Sequence, residues 1–516
     1  MFIIKSIRFI TICFLFLLLV ACSQKKDTLT SENSEKIAKT EKYEPTWESL
    51  AKHQATPEWL QDAKLGIYFH WGVYTVPAYH SEWYPFYMYR DGHPHGSNVA
   101  KWHKEKYGKD FNYHDFVPMF KAEKFDAKDW AKLFKDAGAK FSGPVAQHHD
   151  GFALWDSKVN PWNAKAKGPK KDITGLLEKE IKANGMKFIT TFHHARNLQR
   201  NANNPEKWGA YDSHFAYDPN SATSSKDSII SKLYGNMPAD QFHKYWYAQL
   251  KEVIDQYSPD IVWFDSWLNA IPEQYRQEFA AYYLNEAKKK NQEVAIVMKQ
   301  HDMPHNMSML DIEQGGKKDL SESPWMTDVT ISRGSWSYTD NLKYKDATLV
   351  LRNMIDVWSK NGTVLLNVSP TKEGVIPTEQ RDILLEIGGW LSKYGEAVYN
   401  TRPFIKYGFG TSVAKAGHFG GQSATTKYSA NDVRFTMSKD KKTLYMFFLG
   451  HPEKGRKLDM KSFGLHRYPT PSPIKNITVL GTETKVQFEQ TENELFLTIP
   501  DVDMNDMATI FKFELE

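Results

Sequence analysis

Cysteine is almost absent from this 516-residue chain: there are two, Cys13 and Cys22, both near the N-terminus. The remainder can have no disulfide framework and no thiolate metal site. An excess of charge is missing too. Sixty-six Lys and Arg stand against 62 Asp and Glu, a formal net charge of +4. That balance gives no footprint for a nucleic-acid partner, and none is expected. No internal repeat is visible. Aromatics are plentiful instead: 16 Trp and 26 Tyr exceed what a core needs. Flat aromatic faces suit the apolar faces of sugar rings.

The N-terminus reads as a secretory leader. Lys5 and Arg8 form a basic segment, and Phe9 to Val20 is an apolar run too short to span a bilayer comfortably. It ends Leu19-Val20-Ala21-Cys22, which resembles the bacterial lipobox. That resemblance implies cleavage before Cys22 and lipid attachment to it. Residues 1–22 would be the signal peptide, and the polar residues 23–44 a flexible tether. The expected location is a bacterial cell envelope, on a membrane through the lipid anchor, in the periplasm or at the outer-membrane surface.

From residue 45 to 398, strand-like and helix-like segments alternate. Strands are expected at 64–70, 141–147, 187–192, 261–265, 294–298, 309–313, 328–332 and 363–368. Helices are expected at 125–137, 173–183, 242–257, 273–290 and 346–359, and a closing helix carries Ile383, Leu384, Ile387, Trp390 and Leu391 on one face. Eight β/α units predict an α/β fold, a (β/α)8 TIM-like barrel. A doubly wound open sheet is the alternative. From 399 to 516 the period changes to two, with strand-like runs from Val433 to Phe513, which predicts a C-terminal all-β sandwich.

In such a barrel the functional mouth lies at the C-terminal ends of the strands. Strand one ends in His70, strand two in His148-His149-Asp150 and strand three in His193-His194. Strand four ends in Asp265, strand five in Lys299 and strand six in Glu313. A lone His past a strand is usually a hydrogen-bonded structural residue, but so many at equivalent positions converge on one mouth. Two chemistries compete. A His-ligated metal hydrolase needs two imidazoles projecting the same way from one strand. Here the pairs are adjacent, and neighbouring side chains in a strand face opposite ways, although residues just past a strand end can converge; no metal and no cofactor are expected. Glycoside hydrolysis needs two carboxylates, one at the anomeric carbon and one to protonate the leaving oxygen.

At these residues the chain resembles glycoside hydrolase family 29, the α-L-fucosidases, from about Trp59 to Arg402. The likeness rests on Lys64 to Gly72 with Ser81-Glu82-Trp83-Tyr84, on His148-His149-Asp150-Gly151-Phe152-Ala153-Leu154-Trp155-Asp156-Ser157, and on Leu365-Leu366-Asn367-Val368-Ser369-Pro370. The resemblance implies a retaining exo-glycosidase that takes terminal α-L-fucosyl residues from glycans, with Asp265 as nucleophile. Glu313 best matches the acid/base, with Asp311, Glu322 and Asp302 in reserve. It further implies that His70, Glu82, Trp83, His148, His149 and Trp263 line the sugar subsite. His193, Lys299 and Trp336 are expected in the same pocket.

Three departures from the family pattern stand out: Ser266-Trp267 where Gly usually follows the nucleophile, His193-His194-Ala195-Arg196, and Lys299 in place of Arg. These open α-L-galactosidase or a related activity as a second reading. A surface glycan-binding lipoprotein without catalysis is a third.

Overall fold

The structure is a computed structural model that describes residues 42–96, 98–199, 213–414, 416–417, 425–466 and 473–516. The expected leader, Cys22 and nearly all of the tether lie outside the described residues.

Eight parallel strands close into a barrel. They are β1 (Leu65–Phe69), β2 (Phe141–Gln147), β3 (Lys187–Phe192), β4 (Ile261–Phe264), β5 (Ala295–Lys299), β6 (Met309–Asp311), β7 (Trp325–Thr330) and β8 (Gly362–Val368). Each pairs with its neighbour in sequence, and β8 closes on β1 with Ile67 opposite Leu366. The expected open-sheet alternative is thereby excluded. Among the described residues, the helices of ten residues or more that cover the outside are α1 (Ala127–Asp136), α2 (Ile173–Ala183), α3 (Ala239–Tyr257), α4 (Glu273–Lys289), α5 (Ala347–Ser359) and α6 (Thr378–Tyr394).

Local chemistry sets these elements. The Asp126 carboxylate caps α1 by accepting from the Lys128 and Asp129 N–H groups. Trp130, Leu133 and Phe134 form its buried face, and Gly138, at φ 90°, ends it. Burial of each such large side chain contributes about 1.5–3 kcal/mol.

Two expectations need correction. Eight β/α units were expected, yet no helix lies between β5 and β6 or between β6 and β7. Strand seven was expected at 328–332 but runs from Trp325 to Thr330. Asp328 therefore sits inside the strand, where its charge is met by Tyr68 and Lys299 across the barrel. Residues 332–333 instead pair with 343–344 in a small hairpin.

Side-chain alternation fixes what reaches the mouth. The barrel interior holds Tyr68, Val145, Ile189, Trp263, Val297, Met309, Met326 and Leu365. Their neighbours face the helices: Phe69 packs on Trp130, and Phe264 packs on Phe279. Two residues further along, the inward direction returns. That period carries His70, His193, Asp265, Lys299, Asp328 and Asn367 to one end of the barrel, with Glu313 just beyond β6.

The C-terminal residues form two antiparallel sheets. The five-stranded sheet has the order β9 (Thr401–Phe409), β10 (Val433–Ser438), β11 (Thr443–Phe448), β16 (Thr509–Leu515), β13 (Ile474–Val479). The three-stranded sheet has the order β12 (Lys457–Met460), β15 (Leu495–Thr498), β14 (Gln487–Gln490). Phe435, Met446 and Phe513 of the first share a core with Leu458, Leu495 and Leu497 of the second. Arg434 of β10 reaches Asp356 of α5 with Nε at 2.6 Å from the carboxylate. No helix among the described residues is long and apolar enough to cross a membrane.

Candidate active site

Asp265 follows the last residue of β4, and its backbone N–H donates to the Phe192 carbonyl at 3.0 Å. Its carboxylate receives three groups. Lys299 Nζ lies 2.9 Å from Oδ1, while His149 Nε2 and His193 Nδ1 lie 3.1 and 3.2 Å from Oδ2. Burial works to raise its pKa. The Lys299 ammonium, then His193 and His149, overcome that and hold it well below the usual carboxylate range. Asp265 is therefore an anion with oxygens fixed toward the mouth.

Glu313 stands across the same ammonium, Oε2 lying 3.2 Å from Lys299 Nζ. Burial pushes its carboxyl up to about 7. Lys299 opposes this rise, and the charges of Asp328 and Asp265 add to it. One carboxyl is thus held ionised and its neighbour is held protonated to near neutrality. That division is what a nucleophile and a general acid require.

The other walls are imidazole, indole and a second buried acid. Asn367 Oδ1 accepts from the His70 backbone N–H at 3.0 Å and lies 2.8 Å from His70 Nδ1, which fixes the ring. Burial, then neighbouring imidazoles, push His70 and His148 well below their usual pKa, so both rings are neutral. His149 Nδ1 lies 2.6 Å from the His193 carbonyl, so acceptors face both its nitrogens. Burial pulls its pKa down to about 4, with Asp265 working against that pull. Glu82 accepts from the Trp336 N–H at 3.0 Å and the Ser335 hydroxyl at 3.2 Å. Burial raises its pKa in spite of these donors.

The cleft they enclose has a volume of about 130 Å³, and every expected catalytic and sugar-binding residue other than Trp263 is among its lining. Trp263 lies directly beneath it, its ring centroid 4.9 Å from Lys299 Nζ and 5.4 Å from that of His193. Its indole is fully buried and donates to Asp311 Oδ2 at 2.7 Å. The reserve acids separate in the same way. Asp311 is closed under that indole and under the Asp328 N–H, Asp302 accepts the Leu268 N–H, and Glu322 is exposed on another groove.

Sequence reasoning missed Asp328, Arg196 and Trp267 as lining residues and Asn367 as the clamp on His70. Asn367 had a signal, a lone amide inside Leu365-Leu366-Asn367-Val368. Trp267 holds a left-handed conformation, φ 72°, uncommon for a bulky residue and characteristic of a strained functional turn.

Of the adjacent pairs, His193 and His194 diverge, His193 facing Asp265 and His194 stacking on Trp246 of α3, whereas His148 and His149 converge. The bulge after Val145 and the turn beyond β2 bring the His148 and His149 rings to 4.6 Å. Ligand atoms of His70, His148 and His193, and of His149, His193 and Asp265, lie within 4.8 Å of one another. In the second group the imidazoles already face the carboxylate. Buried His148 Nδ1 and His193 Nε2 have no hydrogen-bond partner among the described residues. Unpaired nitrogens of this kind suit the hydroxyls of a bound sugar.

A closed α/β barrel whose mouth pairs an ionised carboxylate with a protonated one defines a glycoside hydrolase. The comparisons make that class particular. The profile described as alpha-L-fucosidase matches residues 30–396, and that of the alpha-L-fucosidase C-terminal domain matches 426–516. The chain belongs to the alpha-L-fucosidase family. Among curated relatives, rat tissue alpha-L-fucosidase is 28% identical over 89% of this chain and 88% of its own. The Bos taurus tissue enzyme is 30% identical over 70% and 73%. Among solved structures, the Thermotoga maritima alpha-fucosidase is 27% identical, with a TM-score of 0.70, over 92% of this chain and all of that one. The same protein in complex with fucose gives 26% and 0.71.

Proposed function

We propose that the protein hydrolyses terminal α-L-fucosyl residues of glycans with retention of configuration, through Asp265 as nucleophile and Glu313 as acid/base. The observation that carries this reading is one ammonium between two carboxylates. Lys299 Nζ is 2.9 Å from Asp265 and 3.2 Å from Glu313, so the two oxygens lie within about 6 Å of each other. Retaining enzymes space their carboxyls about 5–5.5 Å apart, and inverting ones about 6.5–9.5 Å, to admit a water.

In the first step Asp265 attacks the anomeric carbon as the Glu313 proton passes to the glycosidic oxygen. The aglycone leaves, and a glycosyl ester remains on Asp265. Glu313, now ionised, takes a proton from water, which attacks the same carbon and frees Asp265. The sugar hydroxyls meet the neutral rings of His70 and His148.

The test is an aryl α-L-fucoside followed by proton NMR. Release of the aryl group with the α-anomer of fucose appearing first is expected. First appearance of the β-anomer would overturn retention, and binding without release would restore the non-catalytic reading. Parallel assay of aryl α-L-galactoside sets the sugar. We infer further that Cys22 carries a lipid that keeps the enzyme on a bacterial envelope membrane. Radiolabelled palmitate should enter the full chain and not a Cys22→Ala variant.

A further inference from the structure

The retaining pair accounts for two of the three carboxylates around Lys299. The third belongs to Asp328, inward-facing in β7, with Oδ2 3.2 Å from the same Nζ. An ammonium has three N–H donors, and Lys299 has three carboxylate oxygens around it, at 2.9, 3.2 and 3.2 Å. Its side chain is 4% exposed and that of Asp328 is 2% exposed, so solvent does not compete for these contacts.

Asp328 is itself held from behind. The Tyr68 hydroxyl in β1 donates to Oδ2 at 3.0 Å, and the Asp328 N–H donates to Asp311 Oδ1 at 3.0 Å. Asp311 is in turn fixed by the indole of Trp263. The post is therefore built from β1, β4, β6 and β7, and only the ammonium reaches from it toward the reacting carboxyls. A four-carbon lysine side chain has no intrinsic preference for a position between two anions. Without a third anchor it would collapse onto one of them.

We propose that Asp328 is a positioning residue that holds the Lys299 ammonium between Asp265 and Glu313, so that one cation serves both carboxyls. This rests on the retaining reading above. The device explains how the pair stays unlike. A cation drawn wholly to Glu313 would ionise the acid, and one drawn wholly to Asp265 would blunt the nucleophile. Glu313 faces Lys299 from β5, Asp265 from β4, Asp328 from β7 and Tyr68 from β1, with Asp311 beneath. Of these, Asp328 is the nearby negative charge that takes no part in bond making.

The experiment is Asp328→Asn in the full chain, with kcat/KM measured against pH for an aryl α-L-fucoside and for an unactivated fucosyl disaccharide. Losing a charge at this distance should move the alkaline limb down by about one pH unit. At pH 7 the disaccharide should then lose about fivefold more than the aryl substrate, whose leaving group needs little protonation. An unmoved limb, with both substrates losing the same factor, would overturn the proposal and leave Asp328 a packing residue. Should the Asn variant fold poorly, Asp328→Ser keeps a hydroxyl acceptor and carries the same expectation. Failure of the retaining reading shows separately, as first appearance of β-fucose from the wild-type enzyme.

Discussion

Two buried ion clusters share this molecule, and they are built on opposite plans. At the barrel mouth one cation, Lys299, is surrounded by the carboxylates of Asp265, Glu313 and Asp328. Where α5 meets β10 one carboxylate, Asp356, sits between two cations. Arg434 Nε is 2.6 Å from one oxygen and Lys360 Nζ 2.9 Å from the other. Arg434 also donates to the Val433 carbonyl and Lys360 to that of Lys317, so both cations have further acceptors beside the carboxylate. The mouth has acids in excess, with Asp328 Oδ1 and two imidazole nitrogens left without a partner among the described residues. A satisfied cluster holds one arrangement. An unsatisfied one holds groups that a substrate can complete, at a cost in stability.

The largest effect should come from Asp265→Gly. Turnover should fall by about 10⁴-fold or more, the scale seen when a nucleophile is removed. Folding should survive, because the loss relieves Lys299 of only one of three partners. Azide should restore release of the aryl group by giving the β-fucosyl azide, read by NMR. Near-normal turnover would break the contrast, since the mouth would then be merely another structural cluster.

Glu313→Ala comes next, with a loss of about 10²–10⁴-fold on unactivated substrates and less on aryl fucosides. The sign with pH follows from the pKa of about 7. The acid acts while protonated, so wild-type kcat/KM should fall as pH rises through about 7, and the variant should lack that limb. The same raised pKa costs stability. The folded state binds this proton more tightly than the unfolded chain, so stability falls as pH rises from the ordinary carboxylate range to about 7. Glu313→Gln should therefore stabilise the fold more at pH 8 than at pH 5, measured by urea unfolding.

Much of the mouth was legible because alternation is local. Trp263 and Asp265, or Val297 and Lys299, stand two apart on one strand, and the inward direction of one gives that of the other. What was not legible depends on distant partners. Asp328 looks like the start of a strand, because a charge inside one requires a partner. Its hydroxyl donor, Tyr68, is 260 positions away in the chain. Alternation alone would send Arg434 to solvent, and only α5 supplies the buried Asp356. Strand β9 was hidden by Pro403, which suits an edge. The count of β/α units failed because strand spacing says nothing of whether a helix covers each connection.

At the seam, Asp356→Ala should cost about 3–5 kcal/mol in urea unfolding, because Arg434 and Lys360 remain buried with no counter-charge. Their side chains are 2% and 0% exposed. Values of kcat and KM at a temperature where the variant is folded should match wild type. A selective loss of kcat would mean that the two clusters communicate, and the contrast drawn between them would fail.

A third ion pair calibrates the other two. Arg381 of α6 and Asp129 of α1 meet in a two-pronged contact, both N–O distances 2.8 Å, with side chains 31% and 45% exposed. Its geometry is as good as that of the seam, so burial is the main difference. Water restores most of what either group loses, and salt screens the attraction. Arg381→Ala should cost less than about 1 kcal/mol, and less still at high salt. Were the loss equal to that of Asp356→Ala, geometry and not desolvation would govern both, and the frustration assigned to the mouth would lose its physical basis.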